Sequence, residues 1–529
     1  MKPLLYFFLL TFTGNCIFAQ GVPERHTRID VIGYQYQLQI SDLHDTLRGQ
    51  AAIRLNMLRG DSILLDLHAP DASGKGMRVS EVTVDKQPVT FTQLAEWVAI
   101  PVATKGEHQI ALQYKGIPAD GLIISTNKYN RRCFFADNWP NRAHQWIPCN
   151  DHPSDKATVG FRVTAPAHYQ VIANGIQTEE CRNGSDTAVT EWQETTAIPS
   201  KVMVIGCAEF AVGYAGAVGQ VPVTSWIFAP DRSKGFYDYS QATEILPWFI
   251  QKVGPYPFSK LANVQSKTIF GGMENAGCIF YYENSVTGNR KVETLLAHEI
   301  AHQWFGNSAS EKHWSELWLS EGFATYMTDM YMESVHGIDT MRKMLQEQRK
   351  AVIDFYRKEP QRPIVDSLET DYMKLLNANS YPKAGWVLHM LRRQLGDSIF
   401  WKGIRDYYAS YTGKNANTTD FMRVMEKNSG RNLETFFRQW LRTPGHPQLR
   451  IQWSTKGNNL QVHIRQMQKE ISRFPLTIRV RGNGRESIQS IQVNSPDQQQ
   501  HFALPFTATQ IEIDPFTDLL AEWTTERVK

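Results

Sequence analysis

The stretch His298-Glu299-Ile300-Ala301-His302, followed by Glu321 within Trp318-Leu319-Ser320-Glu321-Gly322, decides how this chain is read. On a helix, positions 298 and 302 lie one turn apart on the same face. Two imidazoles so placed bind one metal ion, and Glu299 on the adjoining face reaches a water on that metal. Glu321 adds the third ligand of the set that catalytic zinc prefers, two His and one carboxylate with the fourth position left to water. The bare HExxH pattern is short, and the carboxylate in Leu-Trp-Leu-Ser-Glu-Gly is what makes it specific. Read instead as core histidines beside a surface Glu, the same residues leave buried polar groups without partners. The pattern implies one Zn2+ per chain and hydrolytic chemistry. The surrounding segment 292–306, VETLLAHEIAHQWFG, is apolar on every face. It is therefore expected to be a buried helix that stops at Gly306.

Outward from this segment the chain divides by its periodicity. From about Asp30 to Phe210, short alternating runs such as YQYQLQI (34–40), QAAIRLNM (50–57) and VGFRVTA (159–165) are separated by Gly, Pro, Asn and Asp. They predict an antiparallel β domain over 21–215. After Pro222 the pattern turns helical, with amphipathic segments near 237–252, 292–306, 318–335, 339–357, 382–395, 397–411 and 431–442. This gives a mainly helical domain over 216–446, closed by Pro444-Gly445-His446-Pro447. Alternation returns in LRIQWS, LQVHIRQ, LTIRVRG, IQSIQV and TQIEID, predicting a β-sandwich over 447–529. The fold class is a multidomain α+β protein, and 529 residues exceed what one hydrophobic core organises.

Residues 1–20 carry Lys2, an apolar run from Leu4 to Phe12 and the small residue Ala19, the pattern of a signal peptide. Export to a periplasmic or extracellular space is expected, with no transmembrane segment after cleavage; a lipid anchor through Cys16 is the minority reading, because Asn15 precedes it. Basic and acidic residues number 56 and 53, a net charge of +3. No basic cluster stands out, so no nucleic-acid partner is expected. Cys133, Cys149, Cys181, Cys207 and Cys278 are an odd, widely spaced set that leaves at least one thiol free and admits one or two disulfides. The oligomeric state is not encoded in any visible pattern.

Four motifs in order resemble the zinc aminopeptidases of the alanyl (N) aminopeptidase and leukotriene-A hydrolase type, and the resemblance spans nearly the whole mature chain. Gly271-Gly272-Met273-Glu274-Asn275 is similar to the family's GxMEN motif, and HEIAHQWFGN (298–307) with WSELWLSEGFATY (314–326) to its zinc segment. Tyr381-Pro382-Lys383-Ala384-Gly385 resembles the motif that bears a catalytic tyrosine, and Pro148-Cys149-Asn150-Asp151-His152-Pro153 with Lys156 resembles an N-terminal signature. The resemblance implies a β-saddle, a thermolysin-like catalytic domain and a β-sandwich. It also implies release of N-terminal residues from peptides with a free N-terminus. His298, His302 and Glu321 would hold zinc, Glu299 would be the general base, and Tyr381 would stabilise the oxyanion. Gly271, Gly272, Met273, Glu274 and Asn275 would bind substrate, with Glu274 on the free amine.

Two positions depart from the family. Trp139 stands where larger members carry a Glu or Gln that helps hold the amine, with Asp137 and Asn138 as the neighbouring alternatives. Thr328, beside Asp329, stands where a Glu often follows the zinc-binding Glu by seven residues. Trp304, Trp314 and Trp318 read as core rather than substrate contacts. The rival readings are a zinc endopeptidase or an epoxide hydrolase on the same scaffold, and a catalytically inactive peptidase-fold binding protein. Glu274 speaks against the endopeptidase, and the intact set of catalytic residues speaks against the inactive protein.

Overall fold

The computed structural model describes residues 23–184 and 186–528. The leader 1–20 with Cys16 lies outside the described residues. Eight strands form the first sheet, in the order 176–183, 187–199, 156–166, 29–39, 47–57, 106–117, 76–84, 87–88. The expected alternation is present: Leu47–Met57 buries every second side chain, including Ala51, Ile53 and Leu55. The domain is largely antiparallel, with one parallel pairing in this sheet. Ile29–Gln39 runs parallel to Lys156–Pro166, with Tyr36 opposite Phe161. A parallel neighbour needs a long crossover, and here more than a hundred residues of strand and loop lie between the two.

A five-stranded sheet follows, in the order 210–218, 221–228, 261–266, 278–282, 272–273. It takes up the chain from Phe210, ahead of the expected boundary at 216. Gly272–Met273 is its edge strand, antiparallel to Cys278–Tyr282. The helices stack against this sheet. Trp318–His336 is buried along most of its length and packs against Glu293–Ala301, Ile338–Lys358 and Ala384–Leu395. The expected helix over 292–306 is shorter than its pattern, spanning Glu293–Ala301 with His302 as its C-cap. Its apolar run continues into a buried turn in which Asn307 N–H reaches the His302 carbonyl, and Gly306 takes φ +117°. A helix at Thr418–Ser429 escaped the periodicity reading. Its signal was the reciprocal capping box of Asn417 and Asp420. Two sheets close the chain as a sandwich, packing Ile451, Val462 and Ile464 against Leu476, Ile478 and Val480.

Among the described residues all five cysteines are unpaired, and Cys133, Cys149, Cys207 and Cys278 are buried. No helix among them is long and apolar enough to cross a membrane.

Small residues set the closest helix contact. A Cβ added to Gly322 would sit 2.4 Å from Cβ of Ala384, and one added to Gly385 would sit 3.2 Å from Cγ2 of Thr325. This close approach draws the segment beginning at Asn379 against the helix that carries Glu321. Gly322→Ala is therefore expected to destabilise the protein by about 1–3 kcal/mol through overpacking, although Ala is the better helix former. A denaturant melt in which Gly322→Ala matches or exceeds the native protein would show that the contact yields.

Candidate active site

The histidine helix presents His298 and His302 to the Glu321 helix. Nε2 of His298 and Nε2 of His302 lie 3.1 Å apart, and Oε2 of Glu321 lies 3.4 Å from the first and 3.2 Å from the second. Ligands about 2.0–2.1 Å from a tetrahedral zinc are separated by about 3.3 Å, so these three atoms form one face of such a coordination shell. Oε2 of Glu321 is buried and receives no hydrogen bond. An acceptor-only oxygen facing two imidazole nitrogens, with no donor of its own, fits a cation. The residues present therefore fit the metal.

The electrostatics point the same way. Glu274, Glu299 and Glu321 are each about 5 % exposed or less. Burial alone would lower the His302 pKa, but Glu321, Glu274 and Glu299 outweigh it and lift the imidazole to about 10. Burial raises the Glu321 carboxyl, yet His302 and His298 hold it far below the usual range. Burial pushes Glu299 well above an ordinary carboxylate. The cleft sets three carboxyl groups against two imidazoles in a poorly solvated space, an arrangement that a positive ion completes.

Each group is fixed from behind. Nδ1 of His302 lies 3.0 Å from Ser320 Oγ and 3.2 Å from the Phe305 carbonyl. The carbonyl can only accept, so Nδ1 carries a proton and Nε2 is aimed at the ligand set. Thr328 and Asp329 take no part: the Thr328 hydroxyl donates to the Ala324 carbonyl, and Asp329 accepts from Gln348. Ser320, immediately before Glu321, supplies the support instead; its only signal was the hydroxyl in Leu-Ser-Glu-Gly. Gly272 lets Glu299 close on the edge strand, since a Cβ there would lie 2.3 Å from Oε1 of Glu299. Gly271 has open space, its nearest neighbour being Leu295 at 4.0 Å.

Tyr381 sits in a π-turn, Asn379–Lys383, where Lys383 N–H reaches back to the Ala378 carbonyl. Such widened turns recur at functional sites. Its ring stacks on His298 with centroids 6.1 Å apart. Burial and the nearby Glu321, Glu274 and Glu299 push its hydroxyl well above the usual phenol value, so it stays protonated and able to donate.

Glu274, Gly271, Gly272, Met273 and Tyr381 line one cleft of about 290 Å³ together with His298, Glu299, His302 and Glu321. Oε1 of Glu274 is buried and has no partner. The carbonyl of Glu274 accepts from Gln303 and Asn307, two residues of the turn after the histidines that sequence reasoning had left without a role. Asn275 is wholly buried and does not line the cleft. Trp139 does line it, whereas Asp137 and Asn138 are fully engaged elsewhere: Asp137 accepts from Arg142, Thr268 and Ile269, and Asn138 bonds the Ser200 and Met203 carbonyls and Trp146. Trp304, Trp314 and Trp318 are buried and do not line the cleft.

The model of the peptidase family M1 domain matches residues 237–440, and that of the peptidase M1 N-terminal domain matches residues 31–202. The chain is 27% identical over 434 residues to "Probable aminopeptidase 2" of Sulfurisphaera tokodaii, covering 79% of this chain and 53% of that protein. It is 26% identical over 462 residues to glutamyl aminopeptidase of Homo sapiens, covering 79% and 47%. The chain thus spans about half the length of the curated relatives it matches. Its fold superimposes on an M1 zinc metallopeptidase from Deinococcus radiodurans with a TM-score of 0.65 and 24% identity, covering 78% of this chain and 94% of that one.

Replacing His298, His302 or Glu321 by Ala removes one of three ligand groups, so each variant is expected to bind zinc at least tenfold more weakly, read by calorimetric titration. Native stoichiometry and affinity in all three variants would refute the assignment. Gly272→Ala is expected to retain zinc while displacing Glu299, and equal metal content in both proteins checks the first half of that statement.

Proposed function

This chain belongs to the M1 peptidase family, and from that membership and the geometry of the cleft we propose that it is a zinc aminopeptidase releasing N-terminal amino acids from peptides. The observation that carries the proposal is the unpartnered, buried carboxylate of Glu274 in the same cleft as His298, His302 and Glu321. A buried carboxylate lining the cleft beside the metal-ligand set pairs with the protonated amine of a peptide's first residue and so places the first peptide bond at the metal site. An internal peptide would set a neutral amide against that charge, which disfavours an endopeptidase.

His298, His302 and Glu321 would hold zinc, which would supply Lewis acidity, lowering the pKa of a bound water to about 7 and polarising a carbonyl. Glu299 accepts the proton of the attacking water and delivers it to the leaving amine. The Tyr381 hydroxyl donates to the carbonyl oxygen as that atom gains charge, and a preorganised donor of this kind contributes about 100- to 1000-fold to rate. The edge strand offers its free backbone groups, so the peptide adds alongside Gly271 and Gly272. We place the protein outside the cytoplasm on the strength of the leader at 1–20. Cell fractionation and N-terminal sequencing of the mature chain check this; a cytoplasmic protein beginning at Met1 would refute it.

Glu299→Gln is expected to keep zinc while kcat falls by at least 100-fold, because the amide cannot take a proton. Tyr381→Phe is expected to keep zinc with a comparable loss. Near-native turnover by either zinc-loaded variant overturns the role given to it.

Acetylating the N-terminus of a good substrate is expected to abolish its hydrolysis, and Glu274→Ala to raise KM and lower kcat on free-amine substrates together. Equal cleavage of acetylated and free peptides, or initial cleavage at internal bonds, would overturn the aminopeptidase reading.

A further inference from the structure

Apart from the groups already given a role, the cleft is walled by Trp139, Phe270, Met273, Leu295 and Leu376. Beyond Glu274, Glu299, Glu321, His298 and His302, no acidic or basic side chain lines it among the described residues. Behind the wall, Arg142 lies over the Phe270 ring at 5.9 Å. Its three nitrogens donate to the Trp139 carbonyl, Asp120 and Asp137.

Asp137 organises this wall. One of its oxygens holds Arg142, which in turn holds the Trp139 backbone; the other accepts from the Thr268 hydroxyl and Ile269 N–H, and the Thr268 hydroxyl accepts from Phe270 N–H. Trp139 and Phe270, drawn from two different modules, meet edge to face with centroids 6.2 Å apart. Trp314 also packs edge to face with Trp139 at 5.7 Å, and Tyr372 stacks on Trp314 at 5.3 Å. Trp139 is 2 % exposed and locked by aromatic neighbours, so it is a fixed surface and not a movable flap.

We propose that Trp139 forms, with Phe270 and Met273, the pocket for a substrate's first side chain, so that the enzyme selects apolar first residues and rejects acidic and basic ones. This deepens the aminopeptidase reading and rests on it. Glu274 then holds the amine without a second carboxylate from the first module, because Trp139 supplies an apolar face where Asp137 and Asn138 are fully bonded elsewhere. An acidic first side chain entering such a pocket loses its water and meets no cation of the wall, and a basic one meets no carboxylate beyond Glu274, Glu299 and Glu321, which the amine, the water and the metal engage, so the binding step bears the desolvation.

The test measures kcat/KM on aminoacyl fluorogenic amides with the zinc-loaded protein. Leucyl, phenylalanyl and methionyl substrates are expected to exceed glutamyl, lysyl and arginyl ones at least tenfold. Trp139→Phe keeps an apolar wall and is expected to preserve that order. Trp139→Glu places a carboxylate in the pocket and is expected to raise the arginyl-to-leucyl ratio at least tenfold over native. Calorimetric binding of free leucine, glutamate and lysine to the native protein reads the same preference without any variant, with leucine expected to bind tightest. A flat native profile, or Trp139 variants that slow every substrate by one common factor, overturns the pocket while leaving the aminopeptidase reading intact. Absence of hydrolysis of every free-amine substrate overturns both.

Discussion

Three carboxylates, Glu274, Glu299 and Glu321, share one poorly solvated cleft with two imidazoles, and the surrounding structure holds that charge in place. Unpaired buried charge costs several kcal/mol even after relaxation, so an arrangement of this kind persists only where something positive completes it. The three ligand atoms already stand 3.1–3.4 Å apart. The supporting contacts are aimed at the same end: Ser320 and the Phe305 carbonyl orient His302, Gln303 and Asn307 hold the backbone of Glu274, and Gly272 leaves room for Glu299. A metal bound here would couple its own binding to the folding of this cleft.

The site is also a joint product of two modules. Lys156 from the first sheet donates to the carbonyls of Asn307 and Ser308, which close the turn after the histidine helix. Lys201 and Glu311 form a wholly buried ion pair across the same boundary. Asp137 ties Arg142 in the first module to Thr268 and Ile269 beside the edge strand. Separating the modules would break buried charge contacts and the cleft wall together. The N-terminal signature therefore acts as a clamp on the catalytic turn, with Tyr34 and Tyr36 bonding its backbone from the sheet below.

Small residues explain why the motifs read as they do. Gly322 and the Ala384-Gly385 pair allow one helix to approach another closely enough to bring Tyr381 beside the ligand helix. The π-turn and Pro382 then set the tyrosine at the cleft, with Ser380 and Asn379 pinned to the Leu375, Arg362 and Pro363 carbonyls.

Local chemistry was legible in the sequence wherever function rests on residue type at fixed spacing. His298 and His302 one helical turn apart, Glu299 between them and Glu321 downstream specify a metal site before any fold is known. The alternation of the sheets and the amphipathic runs placed most elements, because burial of one face imposes those periods. What escaped depended on partners distant in sequence. The histidine helix ends at His302 and not at Gly306, since a buried turn is as apolar as a buried helix. Thr418–Ser429 showed itself through its cap and not its period. Whether Asp137, Asn138 or Trp139 faces the cleft could not be read from three adjacent letters. It was decided by which of them found buried partners, Arg142 and Thr268 for Asp137 and the Ser200 and Met203 carbonyls for Asn138. Spacing along a helix is a local constraint and survives in the sequence; satisfaction of a buried polar group is a contact between remote segments, and only the folded chain determines it.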